Sequence, residues 1–373
     1  MSPVVDLVFR LIRSLLPRSL QPWGEAAIRE ARSAARPGEA LRFALGCLSW
    51  AVGESIRFRF SKLMQQGGEP VKLTDRTGPR SLAVACGVAA TGLGLVYMSA
   101  GGAPAHYLMI NAAALAFGLV TLGILALADR RGHLPAGSLN LSLGLILLAV
   151  SLWGVTAGGV TRWVALGPLV IQPGFMIVPL MAVLFARSRD ALSLAGIALA
   201  ALALALQPDR GLAGALATAL TVLALIRPDH RTLAGAAFAL TGLAGALAQA
   251  DPSPAMPFVD RILYSAFAIH PLAGAAVVLG AVVLVLPTLA VRRLNGIEQS
   301  ACIVFGAVWA AIIAAAALGN YPTPLVGYGG SAIVGYMLSL VVFPRRAPEA
   351  GRSPVEATSG PGSDGPLFCV ERP

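Results

Sequence analysis

Charge is scarce in this chain. Asp, Glu, Lys and Arg together make up 12% of its 373 residues, against 56% hydrophobic ones. So low a charge density excludes an ordinary soluble domain. Cysteine and histidine number four each. Cys47, Cys86, Cys302 and Cys369 are scattered without paired spacing, so neither a disulfide framework nor a cysteine-based metal site is expected. No cleavage pattern follows the first apolar stretch, so a signal peptide is not expected either. The final Val-Glu-Arg-Pro is not a prenylation box. Polar side chains are also rare inside the long apolar runs, where His270, Asn111 and Gln299 are the main ones. That scarcity argues against a transporter, which needs polar groups at mid-membrane.

What the chain does have is apolar length. Ten blocks stand out: 81–99, 107–128, 138–156, 173–187, 190–206, 211–227, 232–249, 262–291, 297–318 and 325–343. Most are long enough to cross a bilayer as a helix; the fourth and fifth are short, and the eighth invites a kink at Pro271. The expected fold is an all-α integral membrane protein of about ten transmembrane helices. The 41 glycines and the Ala/Leu/Gly-rich stretch from 193 to 249 suit close helix packing in lipid.

Charge gives an orientation. Alternate connections carry Arg130/Arg131, Arg187/Arg189, Arg227/Arg231, Arg292/Arg293 and Arg345/Arg346, a positive-inside pattern that places both termini in the cytoplasm. The net charge of +10 therefore needs no nucleic acid to explain it. Residues 1–80 are expected to be a basic cytoplasmic region with interfacial amphipathic helices, among them Val4–Leu20, facing membrane lipids. Residues 81–343 form the membrane domain. Residues 344–373, rich in Pro, Gly, Ser and Glu, have a disordered composition.

The opposite face has few ionisable groups: Arg162, Asp209, Arg210, Asp251, Asp260 and Arg261. Arg162-Trp163 suits either an anionic head group or an ordinary interfacial aromatic anchor. Gln172-Pro173 and Pro208-Asp209 read equally as helix starts. Pro228-Asp229 echoes the second of these on the opposite side, where only capping is needed. Gly327–Gly330, around Tyr328, implies a tight bend or a close approach.

In order, these stretches resemble the SEDS family (FtsW/RodA-like) of bacterial shape, elongation, division and sporulation proteins. Leu95–Ala100 is similar to its "VYSAS" segment. Thr161-Arg162-Trp163, Leu166-Gly167 and Gln172-Pro173 are similar to its "RRW…LG…QP" segment. Gln207-Pro208-Asp209 with Gly211 resembles "QPDxG", and Pro324–Ser331 resembles "PLxSYGGS". Phe258–Ile262 through Gly274 aligns with "HTDFIFA…G", placing Asp260 where the family has its acidic residue.

The resemblance implies a SEDS-like bundle in the bacterial inner membrane. It also implies a peptidoglycan glycosyltransferase that polymerises a polyprenyl-pyrophosphate sugar (lipid II) beside a class B penicillin-binding protein. Asp260 would be the catalytic base, with Arg162, Trp163, Gln172, Asp209, Arg210, Arg261, Tyr328 and Ser331 binding substrate. No metal site is expected, and the only cofactor contemplated is a divalent cation, Mg or Mn, carried with the pyrophosphate. The chain departs from the family pattern in three places. Gly174-Phe175-Met176 stands where a Glu and a Lys are usual, Ala268-Ile269 where an acidic pair is usual, and the loop Ala250–Val259 is short. Two alternatives follow: a catalytically reduced scaffold or regulator of a divisome or elongasome, and, less favoured, a lipid-linked precursor flippase.

Overall fold

A computed structural model describes residues 3–16, 20–33, 43–44, 46–48, 51, 78–128, 135–157, 159–167, 169–250, 254–294 and 296–344. Arg130, Arg131, Asp251, Arg345, Arg346 and the C-terminal tail lie outside them, as does most of the stretch from 34 to 77. The chain divides into two units, Met1–Asp75 and Arg76–Pro373.

In the first unit, α1 (Pro3–Leu15) and α2 (Gln21–Ser33) pair. Val5, Val8, Phe9, Ile12 and Leu16 recur at helical spacing and are buried together with Ile28 and Ala31. A bidentate ion pair, Arg13 Nε to Glu25 Oε1 at 2.7 Å and Nη2 to Oε2 at 3.1 Å, ties the two helices.

The second unit is a multi-pass membrane bundle. Its helices are α3 (Pro79–Ala100), α4 (Ala105–Ala128), α5 (Ala136–Trp153), α6 (Pro173–Arg187), α7 (Ala191–Leu206), α8 (Arg210–Ile226), α9 (His230–Leu247), α10 (Ile262–Ile269), α11 (Pro271–Val285), α12 (Gly296–Leu318) and α13 (Gly330–Ser339). They follow the ten apolar blocks. Five are long and apolar enough to cross a membrane: α3, α4, α5, α12, and α11 with the 3-10 turn that extends it. The shorter α6, at about 1.5 Å per residue, falls short of a hydrocarbon core of about 30 Å. It is buried along nearly its whole length, among α13, α12, α5 and α8, so it does not have to match the bilayer. At the periphery, α4 turns Met109, Phe117, Val120 and Ile124 outward.

The eighth block breaks where the sequence suggested. Pro271 has no amide to continue the helix, so α10 ends at Ile269 and α11 starts anew. His270 Nδ1 accepts the Leu272 amide at 3.1 Å, making this histidine a cap. Small residues set close helix contacts: a methyl on Gly144 of α5 would sit 2.5 Å from Gly196 O of α7. Only side chains of minimal size permit such an approach.

An element the sequence reading did not foresee follows α5. The strands β1 (Val155–Ala157), β2 (Val160–Leu166) and β3 (Leu169–Ile171) form a small antiparallel sheet in the order β1-β2-β3. Gly159 (φ +81°) and Gly167 (φ +62°) lie in its two turns, where a Cβ would be strained.

The ends of the bundle differ in chemistry. At the end where α6, α8 and α13 finish, arginines donate to carbonyls left open by helix termini. Arg80 binds Phe343 O at 2.7 Å and Val341 O, and Arg187 binds Val342 O at 3.1 Å. Arg231 likewise binds Arg189 O at 2.7 Å. Asp229 completes this end as the N-cap of α9. Its Oδ1 accepts the Arg231 and Thr232 amides, Thr232 Oγ1 accepts the Asp229 amide at 3.0 Å, and Arg189 lies 3.3 Å from Oδ2.

Partial burial pushes the Asp229 carboxyl up, but these amide bonds and the Arg189 charge together hold it below its usual value. A lowered folded-state pKa means the cap contributes fully above the unfolded value. The contribution is lost as pH falls through the lower folded value. Asp229→Ala is expected to cost about 1 kcal/mol of stability near neutral pH. Thermal unfolding in detergent should show the gap from wild type shrinking only in acid below the ordinary aspartate range.

Candidate functional site

At the other end, the start of α6, the start of α8, the loop before α10 and the segment leading into α13 converge on one cavity of about 740 Å³. Of the residues expected from sequence, Asp260, Arg162, Trp163, Gln172, Asp209, Tyr328 and Ser331 line it. Arg210 and Arg261 do not.

Arg162 reaches the cavity because strand alternation on β2 turns it inward, leaving it 5% exposed. Its Nε donates to Gln207 O at 2.8 Å and its Nη2 to Pro208 O at 2.7 Å, so it fastens the sheet to the α7–α8 turn. Trp163, next on the strand, is half-buried. Asp209 is the N-cap of α8, accepting the Leu212 amide on Oδ1 at 3.0 Å. Its Oδ2 accepts Gln172 Nε2 at 3.0 Å. Gln172, the N-cap of α6, donates its amide to Ser331 Oγ at 2.9 Å. The sequence allowed both Asp209 and Asp229 to be caps, and both are; Asp209 in addition lines the cavity and binds a second cavity residue.

Asp260 sits at the rim. Its Oδ2 accepts the Met256 amide at 2.8 Å, closing a tight loop in which the Asp260 amide returns to Met256 O at 3.0 Å. On either side, Phe258 (φ +62°) and Arg261 (φ +57°) adopt left-handed conformations that side chains rarely take. Such strain persists only when surrounding bonds fix it. Here the Thr323 amide binds Val259 O at 3.1 Å and the Tyr328 amide binds Phe258 O at 2.7 Å, strapping the loop to the segment before α13.

The two arginines placed elsewhere have their own partners. Arg210 turns toward Ala246 O and Gln249 O at the end of α9. Arg261 Nε donates to Asn320 Oδ1 at 2.7 Å. The charged side chains lining the cavity, among the described residues, are thus Arg162, Asp209 and Asp260.

Sequence reasoning missed Asn320, Tyr321 and Pro322, which also line the cavity. Their signal was the polar break Gly319–Pro322 after the ninth block. It also missed the apolar wall that Phe117 and Val170 help to form. Neither residue looks unusual in sequence.

Arg162→Ala leaves two carbonyls at a buried turn without their donor. It is expected to lower stability by about 1–3 kcal/mol, read by thermal unfolding in detergent. Arg162→Lys should recover only part, because an ammonium lacks the planar fork that serves both carbonyls.

No protein-family model matches the chain. Over 128 residues it is 36% identical to the probable peptidoglycan glycosyltransferase FtsW of Nitrosococcus halophilus, a match covering 30% of this chain and 32% of that protein. The chain thus spans about a third of the length of this curated relative. It is also similar to the crystal structure of the rod shape determining protein RodA of Thermus thermophilus, with a TM-score of 0.49 and 19% identity over 70% of this chain and 93% of that one. An aspartate-to-alanine mutant of the same RodA gives a TM-score of 0.48 at 19% identity.

Proposed function

We propose that this protein is a SEDS-type peptidoglycan glycosyltransferase. It would polymerise a polyprenyl-pyrophosphate-linked sugar, lipid II, at the outer face of the bacterial inner membrane in cell division or shape control. A class B penicillin-binding protein is the proposed partner. The observation that carries this reading is that Asp260 and Arg162, from distant parts of the chain, line one cavity with a largely apolar wall.

In the reaction, an acceptor sugar hydroxyl attacks the anomeric carbon of a donor while the bond from that carbon to pyrophosphate breaks. Asp260 takes the hydroxyl proton, and the bonding electrons leave with the pyrophosphate. The guanidinium of Arg162 offsets the charge that develops there. Two carboxylates line the same cavity, so a divalent cation, Mg or Mn, carried in with the pyrophosphate would find acidic oxygens in Asp209 and Asp260. The apolar wall suits the polyprenyl chain.

One observation favours a second reading, that of a scaffold or regulator in a division or elongation complex. Arg162, Gln172 and Asp209 all hold protein groups, and Arg210 and Arg261 point to other partners. Asp260→Asn separates the two. Asparagine can still accept the Met256 amide but is a very poor base. The enzyme reading expects glycan polymerisation by purified protein to fall about 10²–10⁴-fold, the range of general acid–base catalysis. Normal polymerisation by the variant would remove Asp260 as the base, whereas normal growth and partner recruitment by the variant, with no polymerisation by wild type, would leave the scaffold reading.

The proposed orientation has its own check. Thr161 on β2 belongs to the cavity end, and a membrane-impermeant thiol reagent added to intact cells should label Thr161→Cys. Labelling only after the membrane is opened would reverse the orientation and place the cavity on the cytoplasmic side.

A further inference from the structure

Asn111 is one of the few polar side chains within the apolar blocks, and the proposed reaction gives it no role. It lies on α4 and is fully buried. Its Nδ2 donates to Gly327 O at 2.8 Å, and its Oδ1 accepts the Gly329 amide at 3.1 Å. One amide group thus brackets Tyr328, a cavity residue more than two hundred positions away.

The same face of α4 continues the contact. Tyr107, one turn earlier, stacks on Tyr328 with ring centroids 3.8 Å apart and planes 8° from parallel. Ala114, nearly one turn later, packs beneath Gly330: a methyl there would lie 3.1 Å from the Ala114 Cβ. Positions i, i+4 and i+7 of a helix share one face, so α4 follows the segment from Tyr328 to Gly330. The Tyr328 amide at the start of that segment and the Thr323 amide just before it bind the Asp260 loop, and Ser331 binds Gln172.

We propose that Asn111 is a positioning residue for the cavity. Its paired hydrogen bonds set Tyr328 and Ser331 and, through the backbone straps to Phe258 and Val259, hold the loop that carries Asp260. The chemistry selects asparagine. A short amide offers an uncharged donor and an uncharged acceptor on separate atoms, so it serves Gly327 O and the Gly329 amide at once. Leucine at this position would leave a buried carbonyl and a buried amide without partners. Aspartate would keep the shape but lose the donor to Gly327 O.

The catalytic part of this inference rests on the glycosyltransferase reading, and the test separates the two. Hydrogen exchange of the full-length protein in nanodiscs would compare wild type with Asn111→Leu and Asn111→Asp. Peptides covering 322–331 and 256–262 should exchange at least about tenfold faster in Asn111→Leu, while peptides near Arg80 and Arg187 stay unchanged. Turnover of lipid II should fall on the order of 10²-fold, as for a displaced reacting group, with a smaller change in apparent KM. Should Asn111→Leu fail to insert, Asn111→Asp carries the same comparison at nearly constant volume.

Unchanged exchange in the 322–331 peptide would overturn the clamp. Faster exchange with unchanged turnover would overturn the positioning role. A wild-type protein without polymerase activity would sink the functional reading, and exchange alone would then decide the clamp.

Discussion

The polar junction around Gln207–Asp209 is the constraint on which the cavity end of this bundle depends. Helices α7 and α8 meet there in a sharp turn whose carbonyls point into the protein, where water cannot satisfy them. Arg162 takes up the carbonyls of Gln207 and Pro208. Gln207 Nε2 reaches back to Leu147 O of α5 at 3.3 Å, and Asp209 starts α8 while binding Gln172 at the start of α6. Gln172 in turn holds Ser331 at the start of α13. One chain of hydrogen bonds therefore joins a strand and five helices, and the cavity lies beside it. Groups in such a network are worth more together than singly, because each buried partner left open is costly.

The opposite end solves the same problem with less precision. There the open carbonyls belong to helix C-termini, and long arginine side chains at the membrane boundary meet them one by one. Arg187, read in sequence as part of an orientation signal, thus also fastens α6 to the end of α13, as Arg80 does for α3. The division of labour follows from geometry. A C-terminus asks only for a cation or a donor nearby, whereas the cavity end has to fix several side chains relative to one another.

This difference explains how much was legible in the sequence. The apolar blocks, the break at Pro271 and the order of the motifs were readable because each is a local property of the chain. The sheet from Val155 to Ile171 was not: its strands are three to seven residues long, and two glycine turns, rather than apolar alternation, define it. Arg210 and Arg261 looked equivalent to Arg162 in composition. Their directions depend on helix phase and on a left-handed residue, neither of which spacing reveals. Asn111 was visible as an unusual polar residue, but its partners lie more than two hundred positions away, and only the folded chain brings them together.

The cavity's charge balance has a further consequence. Arg162 lines it together with two carboxylates and gives two donors to backbone carbonyls. A guanidinium has five N–H donors in a rigid fork, so anchoring and anion binding are compatible in arginine and would not be in lysine. The anchoring also removes most of the side chain's conformational freedom before any ligand arrives, and a pre-ordered cation loses less entropy on binding than a mobile one. In the proposed reaction, the same bonds that make Arg162 look structural would make it a better-placed partner for a leaving group. Asp260 is held likewise, by the Met256 amide and by the straps from Thr323 and Tyr328 to its neighbours.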